Sequence, residues 1–185
     1  MIDTTLLEAE EKMEKAIEVA KEDFATIRTG RANASMFNKL TVDYYGSQTP
    51  LQQLASFQTP DARTILIAPF DKSSMAEIEK ALRDSNLGIN PNNDGTVIRV
   101  NLPQLTEERR KEYIKLARAK AEDAKVAIRN IRRKAKEELD HLVKDGKVGE
   151  DEGARAEKEL ESSTKKHVDY VDASLKVKEA ELLEV

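Results

Sequence analysis

At 185 residues the chain is long enough for one large or two small domains, each with a buried core. It holds 36% charged and 4% aromatic residues, no Trp and no Cys, and a net charge of −4. Those numbers exclude disulfides, thiolate metal centres and cysteine nucleophiles, argue against aromatic platforms for stacking single-stranded bases, and favour long helices in a reducing compartment.

From Asp3 to Ile27, Leu6, Met13, Ile17, Ala20, Phe24 and Ile27 recur at helical spacing, the seam of an amphipathic helix that Thr29 and Gly30 end. Acids interrupt every apolar run in MIDTTLLEAEEKMEK, so it does not read as a signal peptide. No later run of apolar residues is long enough to span a bilayer, and the expectation is a soluble, cytoplasmic protein. A different texture follows. LTVDYYGS turning at Gly46, QTPLQQLASFQT, TILIAPF and TVIRVNLP read as short strands, the last after the turn-rich GINPNNDG. Among them SSMAEIEKALRDSNL sets Met75, Ile78 and Leu82 on one helical face, with Asp71 or Ser73 as N-cap and Gly88 just past the end. Residues 31–104 therefore form a small β/α/β domain.

The chain then returns to long helices. Thr106 ahead of Glu107 and Glu108 starts the second one, with two acids against its dipole. KDGKVGEDEG, from Lys144 to Gly153, interrupts it, and Leu160, Thr164, Val168, Val171, Leu175 and Leu182 define the seam of the last helix. Three such helices bury one another's seams as an antiparallel bundle. The fold class is α+β: a discontinuous bundle of residues 1–30 and 105–185, carrying 31–104 as an insertion. The chain crosses between the two at Thr29–Ala32 and Leu102–Leu105, where Gly30 relaxes the backbone and Pro103 stiffens it. Such paired crossings permit bending about one axis.

Charge is distributed unevenly. Between Leu105 and Lys136 stand twelve bases and five acids, a local +7, so the other residues sum to −11. At about 100° per residue, Lys111, Arg118, Lys125, Arg129, Arg132 and Lys136 fall on one stripe of the helix. Ile114, Ala121, Ala124, Ile128, Ala135 and Leu139 lie to one side of it, facing a core. A solvated helix face is the commoner meaning of such a pattern. The arginines of Arg129-Asn130-Ile131-Arg132-Arg133, with no acid in the preceding turn, favour a phosphate partner instead.

Catalytic motifs are missing. The seven glycines make neither a P-loop nor a dinucleotide turn, and no nucleophile elbow is present. His141 and His167 show no metal-ligand spacing, which leaves them as surface or seam residues with no metal site. Asp43, Asp61, Asp71 and Asp94 read as turn or cap residues, and GINPNNDG lacks the alternating ligands of a calcium loop. The expectation is a binding protein with no cofactor.

Several separated blocks share one resemblance: RTGRA at Arg28–Ala32, PFD at Pro69–Asp71, SNLGINPNNDGTVIRV at Ser85–Val100, LPQLTEERR at Leu102–Arg110 and RNIRR at Arg129–Arg133. In order, spacing and total length the chain resembles bacterial ribosome recycling factors. That resemblance implies an L-shaped, two-domain protein of roughly transfer-RNA outline. It implies binding to the post-termination ribosome through large-subunit ribosomal RNA, and splitting of the subunits with elongation factor G and GTP, which frees messenger RNA and deacylated transfer RNA. It also implies a monomer that hydrolyses nothing itself. By motif, Arg110, Arg129 and Arg132 match the family's RNA-contacting arginines, and Arg28 and Arg31 sit in the hinge-proximal block, where Arg28 could equally cap the first helix. Arg133 belongs to the same RNIRR block, while Arg118 and Lys125 join the set from helical geometry alone. Lys134 stands where relatives often have an acid. The implied hinge is Thr29, Gly30 and Arg31 with Gln104 and Leu105. The rival readings are a cytosolic helical adaptor that binds a protein through its charges, and an enzyme housed in the β/α domain.

Overall fold

The computed structural model describes residues 1–184. Three long helices, α1 (Ile2–Thr26), α4 (Glu107–Lys144) and α5 (Glu150–Leu183), enclose in sequence a region of short elements. These are β1 (Thr41–Tyr44), β2 (Ser47–Pro50), α2 (Leu51–Leu54), β3 (Ala55–Asp61), β4 (Thr64–Pro69), α3 (Met75–Arg83), β5 (Asn90–Asn93) and β6 (Ile98–Asn101). Helix bundle and small β/α body together make the expected α+β class. Contacts divide the chain into two compact units, one of Met1–Phe24 with Lys115–Lys178, the other of Ala25–Ile114 with the residues from Glu179 onward.

In the helical unit, neighbouring side chains give the helix directions. Thr4 and Thr5 line one groove with His141 and Leu142 while Ala9 and Lys12 line another with Asn130 and Ile131, so α1 and α4 run antiparallel. Leu6 lines one groove with Glu159, and Lys21 lies 5.1 Å from the centre of the Tyr170 ring, so α1 and α5 run parallel. Thr106 opens α4 as expected, its Oγ1 accepting the Arg109 amide at 3.1 Å. Only 145–149 separate α4 from α5, since Glu150–Gly153 are already helical. Met13, Ile128, Leu160 and Val171 fill the core, with Ala9, Ala20, Ala117, Ala121, Ala124 and Ala156 between them. Leu6, Ile17, Ile114, Val168 and Leu175, expected in the seams, are half-buried. Alanines alternate with the large core residues because helix axes approach closely only over small side chains.

In the second unit, β3-β4-β6-β5 form an antiparallel sheet and β1-β2 a separate hairpin. The two turn residues Tyr45 and Gly46 both have positive φ, 50° and 82°, the geometry that matches the twist of a two-residue hairpin. Alternation in β6 buries Ile98 and Val100 against Ile65, Ile67, Ile78, Leu82 and Phe37. Three expectations change here. QTPLQQLASFQT is not one strand: Leu51 and Leu54 are both buried, which a strand's opposite faces forbid at that spacing and one turn of helix allows. GINPNNDG is not all turn, because Asn90–Asn93 pairs with β6 as an edge strand, the location that tolerates Pro91. Asp94 and Gly95 make the turn after it, the Asp94 carboxylate accepting the amides of Thr96 and Val97. Finally, α3 ends at Arg83, with Asn86 and not Gly88 as the first left-handed residue after it. Asp71 caps the 3-10 turn Lys72–Ser74 that leads into this helix.

Candidate nucleic-acid interface

Along α4 in the helical unit, the basic stripe meets acids of α5. Lys125 Nζ lies 2.9 Å from Asp172, Arg132 Nη1 2.8 Å from Glu161, and Lys136 Nζ 3.9 Å from Glu157. The partners descend α5 as the bases ascend α4, so these pairs are rungs between antiparallel helices. Within α4, Glu122 also takes Lys125 at 3.4 Å and Arg129 at 3.3 Å. Two of the three arginines of the RNIRR block, Arg129 and Arg132, are therefore compensated, contrary to what their immediate neighbours imply. Arg129 reaches back two turns, and Arg132 finds its acid on another helix, where sequence proximity has no bearing.

Pairing differs in depth along this row. Lys125 keeps only 17% of its side-chain surface, and its hydrogen bond to Asp172 raises its pKa from the ordinary lysine value against the lowering effect of burial. It behaves as a strut between helices. Arg132 is 30% exposed and Arg129 about half exposed, each using one guanidinium nitrogen on its acid and leaving the rest of the donor fork open. Arg133 is exposed and has no hydrogen bond or ion pair among the described residues, and Arg118 is exposed on the same helix. Lys111, in the other unit, pairs loosely with Glu107 at 3.3 Å.

The remaining predicted residues fall in the second unit. Arg28 is 5% exposed, and its guanidinium donates to the carbonyls of Leu87 at 3.4 Å, Gly88 at 3.5 Å and Pro103. Burial pushes its pKa down from the ordinary arginine value, an effect the nearby Tyr113 opposes. A side chain enclosed in this way has no face for a phosphate, so Arg28 leaves the RNA-contact set and becomes a tie between the β/α body and the segment at Pro103. Nor is it a cap, since its acceptors lie on other segments. Gly88 is its counterpart: a Cβ there would lie 3.4 Å from Arg28 Nη1, on a backbone with φ of 68°.

Arg31 is exposed, its amide bonded to Thr29 Oγ1 at 3.3 Å. Gly30, Arg31, Gln104, Leu105 and Arg110 line one cavity of about 340 Å³ with Arg63, Glu181 and Glu184. Arg110 is half-buried there, with its Nε enclosed and unpartnered among the described residues. Residues 27–33 and 102–106 contain no helix or strand. Sequence patterns missed the acids Glu157, Glu161 and Asp172, for which the only available signal was the antiparallel pairing of α4 with α5.

The family model described as "Ribosome recycling factor" matches residues 20–183. Proteins called ribosome-recycling factor from Kineococcus radiotolerans and Streptomyces coelicolor are 74% and 65% identical to this chain over 185 residues, covering the whole of both sequences. A solution structure of ribosome recycling factor superposes with a TM-score of 0.79 at 39% identity, covering 100% of this chain and 98% of the other. A second similar chain, with a TM-score of 0.71 at 41% identity and full coverage of both, comes from models of the Thermus thermophilus ribosome recycling factor and the E. coli elongation factor G bound to the E. coli post-termination complex.

Proposed function

Because the chain belongs to the ribosome recycling factor family, we propose that it acts on the post-termination ribosome in the cytoplasm. There, with elongation factor G and GTP, it promotes separation of the subunits and release of messenger RNA and deacylated transfer RNA. The observation that carries this reading is the end-to-end match to a relative bound, beside elongation factor G, to a post-termination complex. In this role the chain has no reaction to catalyse. The partner GTPase supplies the energy, and the helical unit transmits it as a wedge.

Ribosomal RNA is held, in this reading, by Arg118, Arg129, Arg132 and Arg133 of the helical unit and by Arg31 and Arg110 of the other. Glu122 and Glu161 aim the Arg129 and Arg132 forks before the RNA arrives. Part-exposed bridges of this kind are worth about 0–1 kcal/mol, whereas hydrogen bonds to a charged partner contribute about 1.5–3 kcal/mol. An arginine can therefore add a phosphate, or exchange its carboxylate for one, at little cost. The acidic remainder of the surface repels stray RNA and leaves this row as the favoured approach. Bending is assigned to Thr29–Arg31 and Gln104–Leu105, supported by the irregular backbone of both stretches.

Two measurements test the reading. Sedimentation with purified ribosomes should show binding that weakens with salt at a log–log slope of about −0.7 to −0.9 per phosphate neutralised. Subunit splitting should require this protein, elongation factor G and GTP together. Salt-insensitive association without splitting would instead support a helical adaptor that binds a protein.

A further inference from the structure

We infer that Glu10, Glu14 and His167 form a site for a divalent transition-metal ion, zinc being the probe of choice, which ties α1 to α5. One imidazole nitrogen of His167 and one carboxylate oxygen from each glutamate lie within 4.8 Å of one another, all inside the helical unit. His167 Nδ1 is 2.6 Å from the Ser163 carbonyl of its own helix, a contact that requires Nδ1 to carry the proton. With that proton on Nδ1, Nε2 carries the ring's free lone pair, and it has no hydrogen-bond partner among the described residues. A backbone carbonyl that fixes the tautomer and turns the other nitrogen outward is the usual support of a metal-binding histidine.

Burial makes this more than a pair of acids. His167 is only 5% exposed, so its ring is held by the packing of the bundle, while both glutamates reach it from the exposed edge of α1. Neither glutamate has an ion-pair partner among the described residues, and like charges four residues apart on one helix repel. Glu10 also lines a groove with Ser163 and Lys166, which confirms that it faces α5 one turn from His167. One nitrogen and two oxygens, with a position left for water, suit zinc at bond lengths of about 2.0–2.2 Å. Both glutamates are exposed, so their side chains are free to adjust toward a bound ion. The ligands lie on the first and last helices, so no motif spacing reveals them.

The test uses the full chain, freed of metal, titrated with zinc against a chromophoric chelator. One equivalent should bind and raise the thermal midpoint, because an ion held only by the folded state stabilises it by mass action. Cobalt in place of zinc should give the visible absorption of a site with nitrogen and oxygen ligands. His167→Gln should abolish both signals. Because that ring is buried and its variant could unfold, Glu10→Gln and Glu14→Gln serve as surface substitutions. Each should weaken zinc by at least about 10-fold, since even residues that only support a ligand cost 10- to 100-fold. His141→Gln should bind as the parent does. Zinc binding that is unsaturable, that survives the Glu10→Gln/Glu14→Gln double variant, or that disappears with His141 would overturn the proposal.

Discussion

Replacing Arg28 separates the two roles that its sequence context allows. The guanidinium is 5% exposed and donates to three backbone carbonyls, on Leu87, Gly88 and Pro103. Methionine at that position keeps most of the volume and removes the donors. Loss of the charge-assisted bond to Pro103 costs about 1.5–3 kcal/mol, and the two longer contacts, at the edge of hydrogen-bonding distance, together add less than about 1 kcal/mol. Relief of the buried charge, whose Nε has no partner among the described residues, returns part of this. Arg28→Met should therefore destabilise the unit spanning 25–114 by about 2–3 kcal/mol. Arg28→Lys, which cannot reach three acceptors with one compact ammonium, should fall between Arg28→Met and the parent. Urea unfolding gives the total. Hydrogen exchange at the Leu102 amide, bonded to Arg63 O at 2.7 Å, reports on the unit that Arg28 ties together. Ribosome affinity of the folded fraction should stay close to that of the parent. If Arg28→Met is as stable as the parent within about 0.5 kcal/mol and binds ribosomes poorly, Arg28 is an RNA ligand and its enclosure has been misread.

Arg132→Ala should cost less than about 1 kcal/mol of stability, as expected for a part-exposed bridge, yet weaken ribosome binding by about 1–3 kcal/mol; unfolding of the variant would make Arg132 a structural residue. Lys125, by contrast, should affect stability more than binding. Its pKa is raised in the folded chain, so its contribution is complete below the unfolded lysine value of 10.5 and disappears as pH rises through the higher folded value. Thermal midpoints of the parent and Lys125→Met should accordingly converge in strong alkali, and a constant difference across that window would refute the strut. Gly153→Ala sets a helix-propensity gain of about 1 kcal/mol against overpacking of about 1–3 kcal/mol, because the added Cβ would lie 2.5 Å from Val143 Cγ2. The variant should lose stability that Val143→Ala restores in the double mutant, and a Gly153→Ala protein more stable than its parent would show that Val143 moves aside freely.

How far the fold could be read in advance depended on the length of each periodic segment. The seams of α1, α4 and α5 repeat often enough that half-buried exceptions such as Leu6 and Val168 do not disturb the assignment. Short elements lack that redundancy. Leu51 and Leu54 carry too little pattern to announce one turn of helix, and Asn90–Asn93 is polar because an edge strand with exposed side chains needs no apolar residues. Its place in the sheet comes from pairing with β6, which no local composition records.

Electrostatics proved harder to read than packing, for a related reason. Periodicity finds the face of a helix because one helix contains it, whereas compensation of a charge depends on what lies opposite. Lys125 and Arg132 sit on the same stripe at helical spacing, and nothing within α4 distinguishes them. Asp172 and Glu161 do: one pair encloses its base to 17% exposure, and the other leaves an arginine 30% exposed with spare donors. Desolvation then assigns the roles. A lysine drawn into an interhelical bridge gains little by exchanging its carboxylate for a phosphate, because it would have to leave its packing to do so. An arginine held at the surface by one nitrogen already points outward, with much of its entropy cost of ordering met before any phosphate partner would arrive. The basic stripe thus divides by depth into residues that hold the bundle and residues that face outward from it. Stability and ribosome affinity should respond to different members of the same row.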